Sequence, residues 1–353
     1  MIKTKKWGKY DEKSVHLYEL TNNNGVVTRI TDYGARVVSL TLPWFEEKPL
    51  DVLLGFDGLD GYLKDDAFFG ATVGRYANRI KGGNLELGGK KYSLTQNEGK
   101  NHLHGGEDGF DARLWRGEPV DTAEGPGVDF HYVSKDGEEG YPGRLNVSVR
   151  YVLTQENELK IDVEGTTDRT TVLSITNHNY YNLTGTREDI HSHQLTINAD
   201  EFTPVDSDFI PTGEIVPVQG TPMDLRTRKT LEGVIKQDHP QINIGKGLNH
   251  NFVLNKQPED EDWAAELFAP STGVRMRLHT DLPCVQCYTA GYLDPNVKGK
   301  AGQQYGIHDA ICLEPQHFPD APNQSNFPTL LLKPGEKYES KIRLDFGRTD
   351  VAS

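Results

Sequence analysis

Hydrophobic and polar residues alternate with a period of two along much of this chain. Val147, Val149, Tyr151 and Leu153 alternate with Asn146, Ser148 and Arg150, and the same spacing recurs at Leu159, Ile161 and Val163. It returns at Val274, Met276 and Leu278, and again at Ile342, Leu344 and Phe346. Successive side chains of a strand point to opposite faces, so each run reads as a half-buried strand. Leu85, Glu86 and Leu87 are followed by Gly88, Gly89, Lys90 and Lys91 and then by Tyr92, Ser93 and Leu94, the pattern of a hairpin. Residues 155–158 form a polar break between two further strands. Only short helical candidates occur, such as Leu231–Ile235. With 36 glycines and 19 prolines spread throughout, the expectation is a turn-rich, all-β chain. Neither a low-complexity linker nor an internal repeat divides it, so residues 1–353 are expected to form one domain, a large β-sandwich. The acidic residues 258–262 read as an exposed loop.

Charge and composition narrow the function. The formal net charge is −14, which repels nucleic acid and anionic membranes and does nothing to attract phosphorylated substrates. A neutral small molecule fits better. No apolar run approaches the roughly 20 residues of a membrane span, and the basic N-terminus is followed by no apolar signal core. Cys284, Cys287 and Cys312 are an odd, sparse set, expected to be reduced thiols in the cytoplasm. Cys284 and Cys287 match C-x-x-C, but they lie in a strand-like run without a second pair, so buried thiols are expected rather than a redox or metal site.

Four segments carry more His, Asn, Arg and Glu than strand packing needs. In the first, Asn78 and Arg79 offer an amide beside a planar donor fork, suited to hydroxyls or a carboxylate; a structural ion pair is the alternative. In the second, His102 and His104 precede Gly105 and Gly106, where a backbone without Cβ atoms lets a substrate approach or simply makes a turn. The two histidines lack an acidic or cysteine partner at useful spacing, so metal binding is not expected, nor is it at His191 and His193. In the third, His178 follows a strand-like run and shares a face with Ser174 and Thr176; its imidazole suits proton transfer near neutral pH. In the fourth, Glu314 follows Ile311, Cys312 and Leu313 and precedes Pro315, expected to end strand pairing. A carboxylate at the end of a buried strand is partly desolvated, which raises its pKa and makes it a better base. Taken alone, each of these residues has an equally good structural explanation.

In sequence order these segments resemble the aldose 1-epimerase family. The likeness runs from Asp32, Tyr33, Gly34 and Ala35 through residues 51–57, 74–80 and 103–106. It continues through 140–143, 176–178, 203–206 and 210–213 to Gln286 and residues 313–316. The resemblance implies a large β-sandwich with an open sugar cleft, no required metal and no cofactor. It makes Glu314 the general base and His178 the general acid. Asn78, Arg79, His104, Asn249 and Gln286 become substrate-binding groups. One position departs: Asn249 stands where the family carries an aspartate, so the charge-assisted bond to a sugar hydroxyl is lost.

The implied activity is interconversion of the α and β anomers of a free hexose such as glucose or galactose. The expected partner is a small sugar, with neither nucleic acid nor membrane, and the expected assembly a monomer or homodimer. A glycoside hydrolase would need two carboxylates flanking the bond, whereas here the second partner is His178. A non-catalytic sugar-binding protein of the same fold is the other alternative, to which Asn249 lends some weight. A hexose-phosphate epimerase would need a basic phosphate pocket, which the net charge does not favour.

Overall fold

The computed structural model describes residues 1–45, 48–186, 188–256 and 263–349; the acidic residues 258–262 lie outside them. The four alternating runs lie side by side. Leu145–Leu153 pairs with Glu158–Thr167, which pairs with Tyr338–Arg348, which pairs with Val274–Thr280, all antiparallel. Val149 faces Val163, Ile161 faces Ile342, and Leu278 faces Leu344, so their apolar sides merge into one buried surface. Arg150 points the other way and pairs with Asp129 on the neighbouring strand.

These strands form the middle of a nine-stranded sheet, extended on one side by Pro126–Ser134 and Arg116–Asp121. On the other side it continues through Trp263–Ala269 and Gln194–Ile197 to Lys229–Thr230. The N-terminal strands build a five-stranded sheet, Ile2–Tyr10 to Leu50–Asp51, in chain order. A second five-stranded sheet has the order Val216–Pro217, Glu201–Thr203, Asn249–Val253, Cys284–Tyr288 and Cys312–Gln316. One hydrophobic cluster draws Leu20 and Ile30 from the first small sheet, Phe130 and Ile161 from the large one, and Phe252 and Leu313 from the second small one. The β-rich expectation holds.

Local departures have simple causes. The hairpin joins Asn84–Leu87 to Lys90–Ser93 with Leu87 opposite Lys90, so Gly88 and Gly89 alone form the turn and both lysines belong to the strand. Both glycines have positive φ, +57° and +77°, as a two-residue hairpin turn requires. The helix Leu231–Ile235 forms where expected, capped by the Thr230 side chain, which accepts from the Gly233 N–H. A second helix, Pro240–Gly245, was not anticipated; proline at its start supplies a preset φ. Pro315 does not end strand pairing. It lies within Cys312–Gln316 opposite Val285, tolerated because this strand is the sheet's edge. All three cysteines are free and buried. Among the described residues no helix is long and apolar enough to cross a membrane.

Candidate active site

The second five-stranded sheet carries a polar row across its strands. Thr203 is opposite Asn251, Asn251 opposite Gln286, and Gln286 opposite Glu314. Two positions along from Asn251, on the same face, comes Asn249, whose Oδ1 accepts a 2.7 Å hydrogen bond from Gln286 Nε2. Against this row stands the short strand Thr176–His178, paired with Ala71–Val73, which brings His178 to the Glu314 carboxylate. His178 Nε2 is 3.5 Å from Glu314 Oε2. All seven residues singled out in the sequence, Asn78, Arg79, His104, His178, Asn249, Gln286 and Glu314, line one cavity of about 290 Å³.

His178 and Glu314 are both buried, and Glu314 Oε2 and His178 Nδ1 have no hydrogen-bond partner among the described residues. Burial away from water penalises whichever form carries charge. It pushes the Glu314 carboxyl up to about 8, against an opposing pull from the Arg79 charge. It pulls the His178 imidazole down to about 3. Burial therefore favours the protonated carboxyl of Glu314 and the neutral imidazole of His178. Glu314 is the residue for which the sequence resemblance implies a base, and its burial favours the form that carries the proton.

The histidine is also fixed in orientation. Its ring stacks on Tyr180 at 5.1 Å and 23° and on Phe68 at 6.0 Å and 26°. Phe68 rides on a segment held by the buried Asp65, which accepts from the Ala67 and Phe69 backbone N–H groups. Asp65 in turn pairs with the fully buried Arg36, which also binds Asp111. Both Asp65 oxygens are thus satisfied, Oδ1 by the Ala67 N–H and Oδ2 by the Phe69 N–H and Arg36.

His104 is bound reciprocally to Asn78. The Asn78 backbone N–H donates to His104 Nδ1 at 3.1 Å, and the His104 N–H donates to the Asn78 carbonyl at 3.1 Å. Burial holds the His104 ring well below its usual pKa, with the charges of His178 and Arg79 acting in the same direction. A neutral ring that accepts at Nδ1 carries its hydrogen on Nε2, so His104 is a hydrogen-bond donor to the pocket. Both residues have positive φ, 66° for Asn78 and 53° for His104, strain of a kind found at ligand sites. Gly105 and Gly106 serve a different end from substrate approach. A Cβ on Gly105 would lie 1.8 Å from the Gly74 carbonyl and one on Gly106 would strike Glu139, so these glycines let protein segments meet.

Arg79 realises the ion pair raised as its alternative. Its Nε is 2.6 Å from Glu98 Oε2 and its Nη2 2.5 Å from Oε1, with the Phe209 ring 4.9 Å below the guanidinium. Arg79 still lines the cavity, so it is both paired and available. Sequence reasoning missed Glu98, Phe68, Tyr180 and Phe209. Tyr180 had a detectable signal, since strand parity sets it on the face of His178; Glu98 is an ordinary acid in a polar turn and had none.

His104, His178 and Glu314 are the one group among the described residues that could gather around a metal ion, their candidate ligand atoms all within 4.8 Å of one another. The bond from Asn78 to His104 Nδ1 works against this, because a metal at Nε2 needs the hydrogen on Nδ1 instead. His102 is committed elsewhere, to the Thr95 carbonyl and the Tyr141 hydroxyl. His193 Nε2 accepts from the Leu183 N–H, and His191 pairs with Asp189.

Residues 16–345 match the family model described as aldose 1-epimerase. Galactose mutarotase of Bos taurus is 44% identical over 311 residues, covering 88% of each chain. The chain belongs to the aldose 1-epimerase family. Another member, aldose 1-epimerase of Escherichia coli K12, is 33% identical over 95% of this chain and 96% of its own. Among solved structures of the family, the aldose epimerase homologue from C. elegans superposes with a TM-score of 0.86 at 34% identity, covering 95% of this chain and 99% of that one. Galactose 1-epimerase from Lactobacillus acidophilus NCFM superposes at 0.88 with 28% identity, covering 99% of both.

Proposed function

We propose that this chain is a mutarotase that interconverts the α and β anomers of a free hexose, with Glu314 and His178 as its proton-transfer couple. The observation that carries the roles is the 3.5 Å approach of two buried, mutually facing titratable groups in the cavity. Ring opening needs one proton taken from the anomeric hydroxyl and one delivered to the ring oxygen. The proton that burial keeps on Glu314 first passes to His178 Nε2 across their 3.5 Å approach. The carboxylate so freed takes the anomeric proton, and the imidazolium delivers its own to the ring oxygen. The C1–O5 bond breaks, the aldehyde rotates about C1–C2, and the ring closes on the other face with the two roles exchanged.

The couple needs one shared proton for this cycle. A carboxyl raised to about 8 and an imidazole lowered to about 3 hold one between them across neutral pH. His104 Nε2, the Asn78 amide, Arg79 and the Asn249–Gln286 pair hold the hydroxyls.

Each positioned acid or base contributes on the order of 10² to 10⁴ in rate. Glu314→Ala and His178→Ala should therefore each nearly abolish turnover of α-D-glucose followed by polarimetry, while circular dichroism shows an unchanged fold. Near-wild-type rates in both variants would remove the couple from the mechanism. We further propose that residues 1–353 act as one unit in the cytoplasm. The shared core cluster and the three free, buried thiols support this.

A further inference from the structure

The Gln286 Nε2 to Asn249 Oδ1 bond leaves two amide atoms unused: Asn249 Nδ2, a donor, and Gln286 Oε1, an acceptor. Both residues line the cavity, and neither side chain has another hydrogen-bond partner among the described residues. Terminal amide torsions are broad and roughly two-fold. If both amides turn over together, Asn249 Nδ2 donates to Gln286 Oε1 and their mutual bond survives. The free pair is then Asn249 Oδ1 and Gln286 Nε2, so donor and acceptor have changed places. Among the described residues no third group hydrogen-bonds to either side-chain amide.

We infer that the Asn249–Gln286 pair is an ambivalent subsite, which serves a sugar substituent that only accepts a hydrogen bond as readily as one that only donates. A carboxylate at position 249 could not do this. It accepts only, and it would lock Gln286 with Nε2 turned toward it. The amide pair thus trades the stronger charge-assisted bond for tolerance of substituent chemistry at one carbon of the ring. The inference rests on the sugar site proposed above.

The test is calorimetric titration with hexoses modified one carbon at a time, as the deoxy, deoxyfluoro and amino-deoxy sugars. Fluorine accepts only, the ammonium donates only, and the deoxy sugar is the baseline. At one ring position the wild-type protein should bind both the fluoro and the amino sugar at least as tightly as the deoxy sugar. Asn249→Asp should keep or improve the amino sugar there and lose the fluoro sugar by roughly tenfold or more, since carboxylate and fluorine would face each other unpaired. Gln286→Glu, which imposes an acceptor from the other side, should show the same one-sided pattern if Asn249→Asp fails to fold. Wild-type protein that favours only one of the two derivatives over the deoxy sugar at every position overturns the inference. Polarimetry of the parent sugars runs in parallel. Two-sided binding without anomerisation sinks the catalytic reading and supports this one; anomerisation with one-sided binding sinks this one alone.

Discussion

Arg79 and Glu98 meet edge to edge in the cavity wall, and Arg79 is at the same time the charge that restrains the upward pKa shift of Glu314. Glu98 thereby offsets part of the field that Arg79 exerts on the Glu314 carboxyl. Replacing it by a neutral isostere leaves the guanidinium uncompensated and removes a nearby negative charge, and both changes favour ionised Glu314. Glu98→Gln should move the alkaline limb of the kcat/KM profile to lower pH, by on the order of half a unit. A limb that stays put or moves upward would show that Glu98 does not tune the couple.

The couple itself predicts the position of that limb. It holds one proton only below the Glu314 pKa of about 8, and a second is added only near the His178 value of about 3. A reaction that shuttles one proton between the two groups should be flat through neutrality and fall above about pH 8, rather than rise with the ionisation of a simple carboxylate base. The kcat/KM profile for glucose between pH 5 and pH 10 decides between them. A rate that climbs through pH 8 would mean that ionised Glu314 with neutral His178 is the working form.

Tyr180 is a positioning residue in this scheme, since its ring lies nearly parallel to the His178 imidazole at 5.1 Å. Aromatic pairs are worth roughly 0.5–1.5 kcal/mol beyond burial, enough to confine a ring that has no hydrogen bond at Nδ1. Tyr180→Leu should lower kcat by up to roughly tenfold, with a smaller effect on KM. Tyr180→Phe keeps the ring and should restore kcat. If the phenylalanine variant is as slow as the leucine variant, the hydroxyl matters and the stacking does not.

The fold was legible where one face of a strand is buried and the other wet. Val147 to Leu153 and Ile342 to Phe346 show their period of two because the core covers only one face of the nine-stranded sheet they belong to. The site was legible as residue types but not as contacts. Nothing in the spacing of Arg79 and Glu98 shows that a turn brings them together across 19 positions. Asp65 and Arg36, which hold the Phe68 segment, carry no sequence signal of their burial, because charge usually marks solvent and burial is a tertiary property. Pro315 misled for a related reason: whether a proline breaks a ladder depends on whether its strand has a neighbour on that side.

A proton held on a buried carboxyl also has a consequence for stability. In the unfolded chain Glu314 ionises near its ordinary value of 4.5, whereas in the folded protein it does so near 8. Between these values the folded state binds a proton that the unfolded state does not, so stability falls as pH rises, by up to about 1.4 kcal/mol per unit. This contribution is fully present below pH 4.5 and lost by about pH 8. Glu314→Gln never ionises and escapes the penalty. The variant should match the wild type near pH 4.5 and become increasingly more stable than it toward pH 8.5, while losing activity, a pattern typical of catalytic groups held in unfavourable surroundings. Urea unfolding of both proteins across that range isolates Glu314, because the other titrating groups, His178 included, are common to the two and largely cancel in the difference. A stability difference that stays constant with pH would mean that Glu314 ionises near its ordinary value in the folded protein.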